Sequence, residues 1–135
     1  MSNQVQLNLD RLAAEHAQEI IKRTADKKAS DVDNTATKAL GVLQENGVYA
    51  CFLYRLAKEN GNGKVVVEEM LRLLEGLNFG WQAPKNNAKI DTRAKVVLPF
   101  ISNTVTEDNL ERLLLAKETL EQMLIDARYG AKARS

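Results

Sequence analysis

At 135 residues, with 44% hydrophobic and 27% charged side chains, the chain has the size and balance of one globular domain that needs no metal or disulfide staple. A formal net charge of +1 excludes the global basic field of a typical nucleic-acid binder, so any such role must come from local clustering. The lone Cys51 excludes an intrachain disulfide, MSNQVQLNLDR lacks a signal-peptide pattern, and no apolar run reaches ~18 residues, which together imply a cytoplasmic protein.

Residues 1–8 are polar and expected to be disordered. From Leu9 the apolar spacing becomes helical, through Leu12, Ala13, Ala17, Ile20, Ile21 and Thr24. DKKASDVDNT (26–35) is a polar break in which Asp33 or Asn34 can cap the next helix. There Leu40, Leu43, Gly47, Ala50, Tyr54 and Ala57 keep one stripe running straight through Asn46-Gly47. A glycine inside a helix costs about 1 kcal/mol against alanine and is tolerated where another backbone passes close by. The stripe therefore favours one long helix, or two nearly collinear ones, from about 34 to 59, over a cap at Gly47 and a fresh helix. Phe52, Leu53 and Leu56 add a second apolar face, which makes this segment the expected buried centre.

NGNG (60–63) ends that helix, and KVVVEEMLRLLEGL (64–77) is amphipathic, with Val66, Val67, Met70, Leu71, Leu74 and Leu77 inward. Residues 78–90 read as a long loop around Trp81, followed by a short helix that Asp91 caps and Pro99 cuts or kinks. Thr104 and Glu107 suggest a capping box for a last helix with a stripe of Leu110, Leu113, Leu114, Leu120, Leu124 and Ala127. Gly130 marks its end, and residues 131–135 are expected to be disordered. Neither a repeat nor a strand emerges. The expected fold is all-α, one domain over residues 1–135, a bundle of about five to six helices around a central apolar one.

The inventory argues against an enzyme. His16 is the only histidine and reads as a packed or surface residue, while Cys51 sits in the apolar helix as a small hydrophobe. No Cys/His group has zinc spacing, and ENGNGK (59–64) lacks the strand-to-helix frame of a phosphate loop, so no cofactor is expected. The carboxylates of EDNLERL and VEEML read as solvated helix faces.

The basic residues cluster in three places. Lys22 and Arg23 close the first helix, Arg128 and Lys132 close the last, and Lys85, Lys89, Arg93 and Lys95 crowd into 85–95. Dipole compensation accounts for the two helix ends, but a loop has no dipole to offset. That loop suits phosphates, tracked without base readout. Trp81 either pins the long loop to the core or stacks at an interface. Arg55, within the greasiest helix, either snorkels outward or meets an anion or an acidic partner.

ATKALGVLQENGVYACFLYRLAKE (36–59) resembles the small all-helical subunit of type III CRISPR effector complexes, the Cmr-module small-subunit family. The resemblance lies in an Asn-Gly pair leading into an apolar helix with a Phe-Leu pair, Phe52-Leu53, behind a first helix rich in Ala, Ile, Lys and Arg. LLLAKETLEQMLIDARYGAKA also looks like that family's closing helix, although Leu124 and Tyr129 stand where the family usually has an aromatic residue, often Trp. The match covers under half the chain, its central and final helices.

The resemblance implies a non-catalytic subunit that stacks with copies of itself and with other effector subunits along the guide RNA and its target. Its basic faces would touch phosphates without reading sequence, because base pairing supplies specificity. Lys22, Arg23, Arg55, Lys85, Lys89, Arg93, Lys95, Arg128 and Lys132 are the candidates for that surface, with Trp81 as an interface candidate. No membrane and no small-molecule substrate is expected. A helical adaptor or dimerisation module, binding through Val48–Ala57 or the Trp81 loop, is the alternative.

Overall fold

The computed structural model describes residues 3–58 and 60–134, so expectations for Met1, Ser2, Glu59 and Ser135 lie outside the described residues. It is an all-α single domain of helices α1 (Asn3–Arg23), α2 (Ala29–Asn46), α3 (Val48–Ala57), α4 (Gly61–Gly76), α5 (Ala94–Phe100) and α6 (Leu110–Arg134). Between α4 and α5 lies a two-residue antiparallel ladder, β1 (Lys85–Asn86) with β2 (Lys89–Ile90). Asn87 and Ala88 turn it with φ of 53° and 68°, the left-handed pair that tight hairpins use.

The side-chain contacts give the helix directions. Leu12 lies beside Gly76 while Arg23 reaches Glu68 and Glu69, so α1 and α4 are antiparallel. Ile21 packs on Gly130, and the N-terminal half of α1 faces the groove at Glu118–Ile125, so α1 and α6 run parallel. A Cβ at Gly130 would stand 3.0 Å from Ile21 Cγ1; this glycine allows the close approach and does not end the helix. The buried stripe of α6 is Ala116, Leu120, Met123, Leu124, Ala127 and Ala131, while Leu110 and Leu114 are exposed.

Both ends are more ordered than their polarity suggests. Helix α1 begins at Asn3, where Gln4 and Gln6 donate one turn ahead to Asn8 and Asp10. At the other end Arg134 donates to the carbonyls of Ile21 and Lys27, so residues 131–134 are helical and fastened down.

The central helix is broken. In one straight helix, residues 12 and 20 apart would lie roughly 18 and 30 Å apart along the axis. Instead, Cys51 Sγ lies 3.4 Å from the carbonyl oxygen of Ala39, and Arg55 Nη1 lies 3.4 Å from that of Thr35. α2 and α3 therefore fold back on each other at Gly47, whose φ of 93° and ψ of −176° belong to a region almost reserved for glycine. Open space surrounds this glycine, so its conformation and not a neighbouring backbone explains it. The stripe through Gly47 misleads because reversal also rotates the face. On α3 the buried residues are Val48, Cys51, Phe52 and Arg55, whereas Tyr49, Leu53 and Ala57 are exposed.

Helix starts also differ from expectation. α2 begins at Ala29, ahead of Asp33 and Asn34, because the extra turn buries Val32. NGNG belongs to the start of α4: Asn60 is its N-cap, and its Oδ1 accepts from the Gly63 N–H at 2.6 Å. Asn109, not Thr104, caps α6 by accepting from the Arg112 N–H at 2.8 Å. Thr104 instead lies in a π-helical turn, Ile101–Val105, that follows Pro99. Proline removes a backbone donor, and the widened turn is closed by Thr106 N–H donating to the Ile101 carbonyl.

Candidate nucleic-acid interface

The helix directions gather one kind of residue at one end of the bundle. The C-termini of α1, α3 and α6 meet the N-termini of α2 and α4 there, as the contacts Arg134–Lys27, Arg128–Asp33, Arg55–Thr35 and Gly61–Lys27 require. Two of the three basic clusters, at 22–23 and 128–132, therefore share an end although about a hundred residues separate them in sequence.

The cations at this end differ in how they are held. Lys22 and Lys132 are exposed. Arg23 is half-buried and spans Glu68 and Glu69, each at 2.7 Å, so it is part of the bundle's internal pairing. Arg128 stands 3.5 Å from Asp33. Asp26 and Asp31 are exposed nearby, so the end is basic by excess and not uniformly.

The third cluster is split. Lys85 lies near the opposite end, its Nζ 2.6 Å from Glu75 Oε2. Lys89 is exposed on the hairpin, and the chain then runs back along α4 to Arg93 and Lys95 at the start of α5. Arg93 grips Asp91 through Nε and Nη2, and those hydrogen bonds hold the Asp91 carboxyl down at about 2. Arg93 and Arg55 both line a cavity of about 480 Å³ that opens between α3, α4 and the start of α5.

Trp81 does not form a surface. It is buried, its indole N–H donates to Asp108 Oδ2 at 2.7 Å, and Phe79 packs edge-on at 5.0 Å. It therefore pins the loop, and the interface assignment for Trp81 gives way to a structural one. Apolar surface lies instead at Tyr49 and Leu53 of α3, Leu110 and Leu114 of α6, and Tyr129.

Two isolated groups take on definite roles. Burial pushes the Cys51 thiol up to about 12, against a smaller opposing pull from Arg55, which leaves it inert. His16 Nδ1 meets Glu69 Oε1 at 2.9 Å, and Glu69 Oε2 also accepts from Arg23 and Arg72 at 2.7 and 2.6 Å. Glu69, read from VEEML as part of a solvated face, is fully buried. Its partners on α1 lie 46 and 53 residues away, so no local spacing announces it.

Among the described residues no group of His, Cys, Asp and Glu is arranged to hold a metal ion, and no helix is long and apolar enough to cross a membrane. Comparison with protein-family models, with curated proteins and with solved structures finds no match.

Proposed function

We propose that this chain is a non-catalytic small subunit of a cytoplasmic RNA-guided ribonucleoprotein, of the type III CRISPR effector class. In this reading it contacts the backbones of the guide and target RNAs and packs against copies of itself and other subunits. The observation that carries the reading is the convergence of basic helix ends at one end of a bundle whose net charge is only +1. Such a distribution supports binding a polyanion on one side while the remaining faces meet protein. The exposed apolar residues Tyr49, Leu53, Leu110 and Leu114 are candidates for those subunit contacts. Lysines on flexible stems act as point charges, which neutralise phosphates without sequence preference.

The test is charge reversal at Lys22, Lys89, Lys95 and Lys132, all exposed, with binding to mixed-sequence single-stranded RNA followed by fluorescence anisotropy across a salt series. The wild-type log–log slope should fall by roughly 0.7 for each phosphate that the variant no longer neutralises. Equal binding and an unchanged slope in the variant would remove these residues from the interface. An absence of salt-sensitive RNA binding, by the chain alone and with the proteins it co-purifies with, would leave the adaptor reading, which the exposed α3 residues favour.

A further inference from the structure

Arg55 is 4% exposed, yet no carboxylate among the described residues pairs with it. Its Nη1 and Nη2 make long bonds, 3.4 and 3.3 Å, to the carbonyls of Thr35 and Lys58, and its buried Nε has no partner among the described residues. A buried polar group is normally satisfied, and a buried cation even more so. Desolvation lowers the Arg55 pKa against smaller opposing pulls from Tyr54, whose ring lies 5.2 Å from the guanidinium, and Cys51, in keeping with a charge that no carboxylate among the described residues offsets.

The same guanidinium lies against the first turn of α4. A Cβ on Gly63 would stand 3.4 Å from Arg55 Nη2 and 3.2 Å from both Asn60 Oδ1 and the Lys58 carbonyl oxygen, a tight fit that glycine avoids. Asn60 satisfies the Gly63 N–H, while the Gly61 N–H, one residue into the helix, has no intrahelical acceptor. A helix N-terminus favours acids, yet α4 has none in its first turn and places Lys64 at the end of that turn. Across the cavity Arg93 is the N-cap of α5, whose first turn also lacks an acid. Asp91 occupies Nε and Nη2 of Arg93 but not Nη1.

We propose that this cavity binds a phosphate group carried by a nucleotide, held by Arg55, Lys64, Arg93 and the Gly61 N–H. A fork of guanidinium donors beside a helix N-terminus suits an oxyanion such as phosphate. A volume of about 480 Å³ exceeds a bare phosphate and falls in the range of small-ligand sites, and Leu56 and Val67 supply an apolar wall for the attached nucleoside. The ligand class rests on the phosphate-contacting function proposed above, to which a defined pocket is added.

Titration with inorganic phosphate, followed by amide and arginine Nε–H NMR, tests the pocket directly. Saturable shifts at Gly61, Gly63 and the Arg55 Nε–H are expected, and Arg55→Gln should weaken binding at least about tenfold. The double variant Lys64→Glu with Arg93→Glu, both exposed positions, should do the same and decides the matter if Arg55→Gln does not fold. Non-saturating shifts spread over surface lysines, or unchanged affinity in a folded variant, would overturn the proposal. Parallel titrations with AMP and with mixed-sequence RNA separate the sources: tighter binding of RNA, competed by phosphate, assigns a chain phosphate, and tighter binding of AMP assigns a free nucleotide. RNA binding lost on surface charge reversal, together with phosphate affinity unchanged in folded Arg55→Gln, sinks the pocket and spares the RNA function. Saturable phosphate binding without any RNA binding does the reverse.

Discussion

Replacing Glu69 by glutamine removes one charge from a site where three donors converge. Glu69 is fully buried, and His16, Arg23 and Arg72 all point at it within 2.9 Å. Removing one partner of a buried ion pair costs about 3–5 kcal/mol because it strands the other charge. Here the stranded groups stay near water, since the Arg23 and Arg72 side chains are 29% and 43% exposed and Arg23 keeps Glu68 at 2.7 Å. Screening reduces the figure to about 2–3 kcal/mol. A chain of this length unfolds with an entropy of roughly 0.3 kcal/mol/K, so Tm should fall by about 7–11 °C at pH 7. Thermal unfolding followed by circular dichroism reads this. Burial alone would raise the Glu69 pKa, but the hydrogen bonds from His16, Arg23 and Arg72 outweigh it and hold it below the ordinary carboxylate value. A depressed folded pKa stabilises above the unfolded value and is lost as pH falls through the folded one. The gap between wild type and variant should therefore be full at neutral pH and close progressively below about pH 4. A shift of less than about 2 °C at pH 7, or a gap that persists unchanged into acid, would refute the hub.

Gly47→Ala places a Cβ in a glycine-only backbone region and should cost about 1–3 kcal/mol in urea unfolding, with the m-value unchanged; a neutral result would mean the α2–α3 turn adopts another geometry. Native Cys51, with its thiol near 12 and its side chain buried, should label with a thiol reagent at pH 8 only as fast as the protein opens. Stoichiometric labelling within seconds would show the α2–α3 contact to be loose. Lys64→Glu puts an acid in place of a cation near the α4 N-terminus and should raise stability by about 0.3–1 kcal/mol in low salt, and loss of stability would give Lys64 a structural role instead.

Helix content and most core residues are legible because the 3.6-residue period survives in α1, α4 and the second half of α6. The reversal at Gly47 is not, because a glycine that ends one helix leaves the downstream spacing intact while turning the face it presents. The exact starts of α2 and α6 depend on burying Val32 and on Asn109 winning over Thr104, choices that rest on tertiary contacts and not on capping preference. Each basic cluster is visible locally, but their convergence requires knowing that α1 runs parallel to α6 and antiparallel to α4. Glu69 is silent in the sequence because its α1 partners come from another helix. Arg55 is anomalous by type alone, and only its burial with no carboxylate partner among the described residues gives that anomaly a location.

The cations at the basic end have two energetic origins, which the helix dipole separates. Lys22, Arg23, Lys132 and Arg134 close α1 and α6, where positive charge is favourable, and they would be expected there with or without a ligand. Lys64 and Lys95 stand at the other kind of helix end, where the dipole opposes them; Arg93 stands there too but is paired with Asp91, and Arg55 is buried nearby with no carboxylate partner among the described residues. On the same α4, little more than a turn further along, Glu68 and Glu69 show that this fold compensates charge when stability alone is at stake. Helix α4 thus carries one neutralised cluster and, at its mouth, Lys64, which with Arg55 of α3 borders a cavity. A buried Arg55 with no carboxylate partner among the described residues, set beside Lys64 at the α4 N-terminus, is what an anion site requires before its ligand arrives, which favours the mouth of α4 over the His16–Glu69 cluster as the location of the proposed phosphate site.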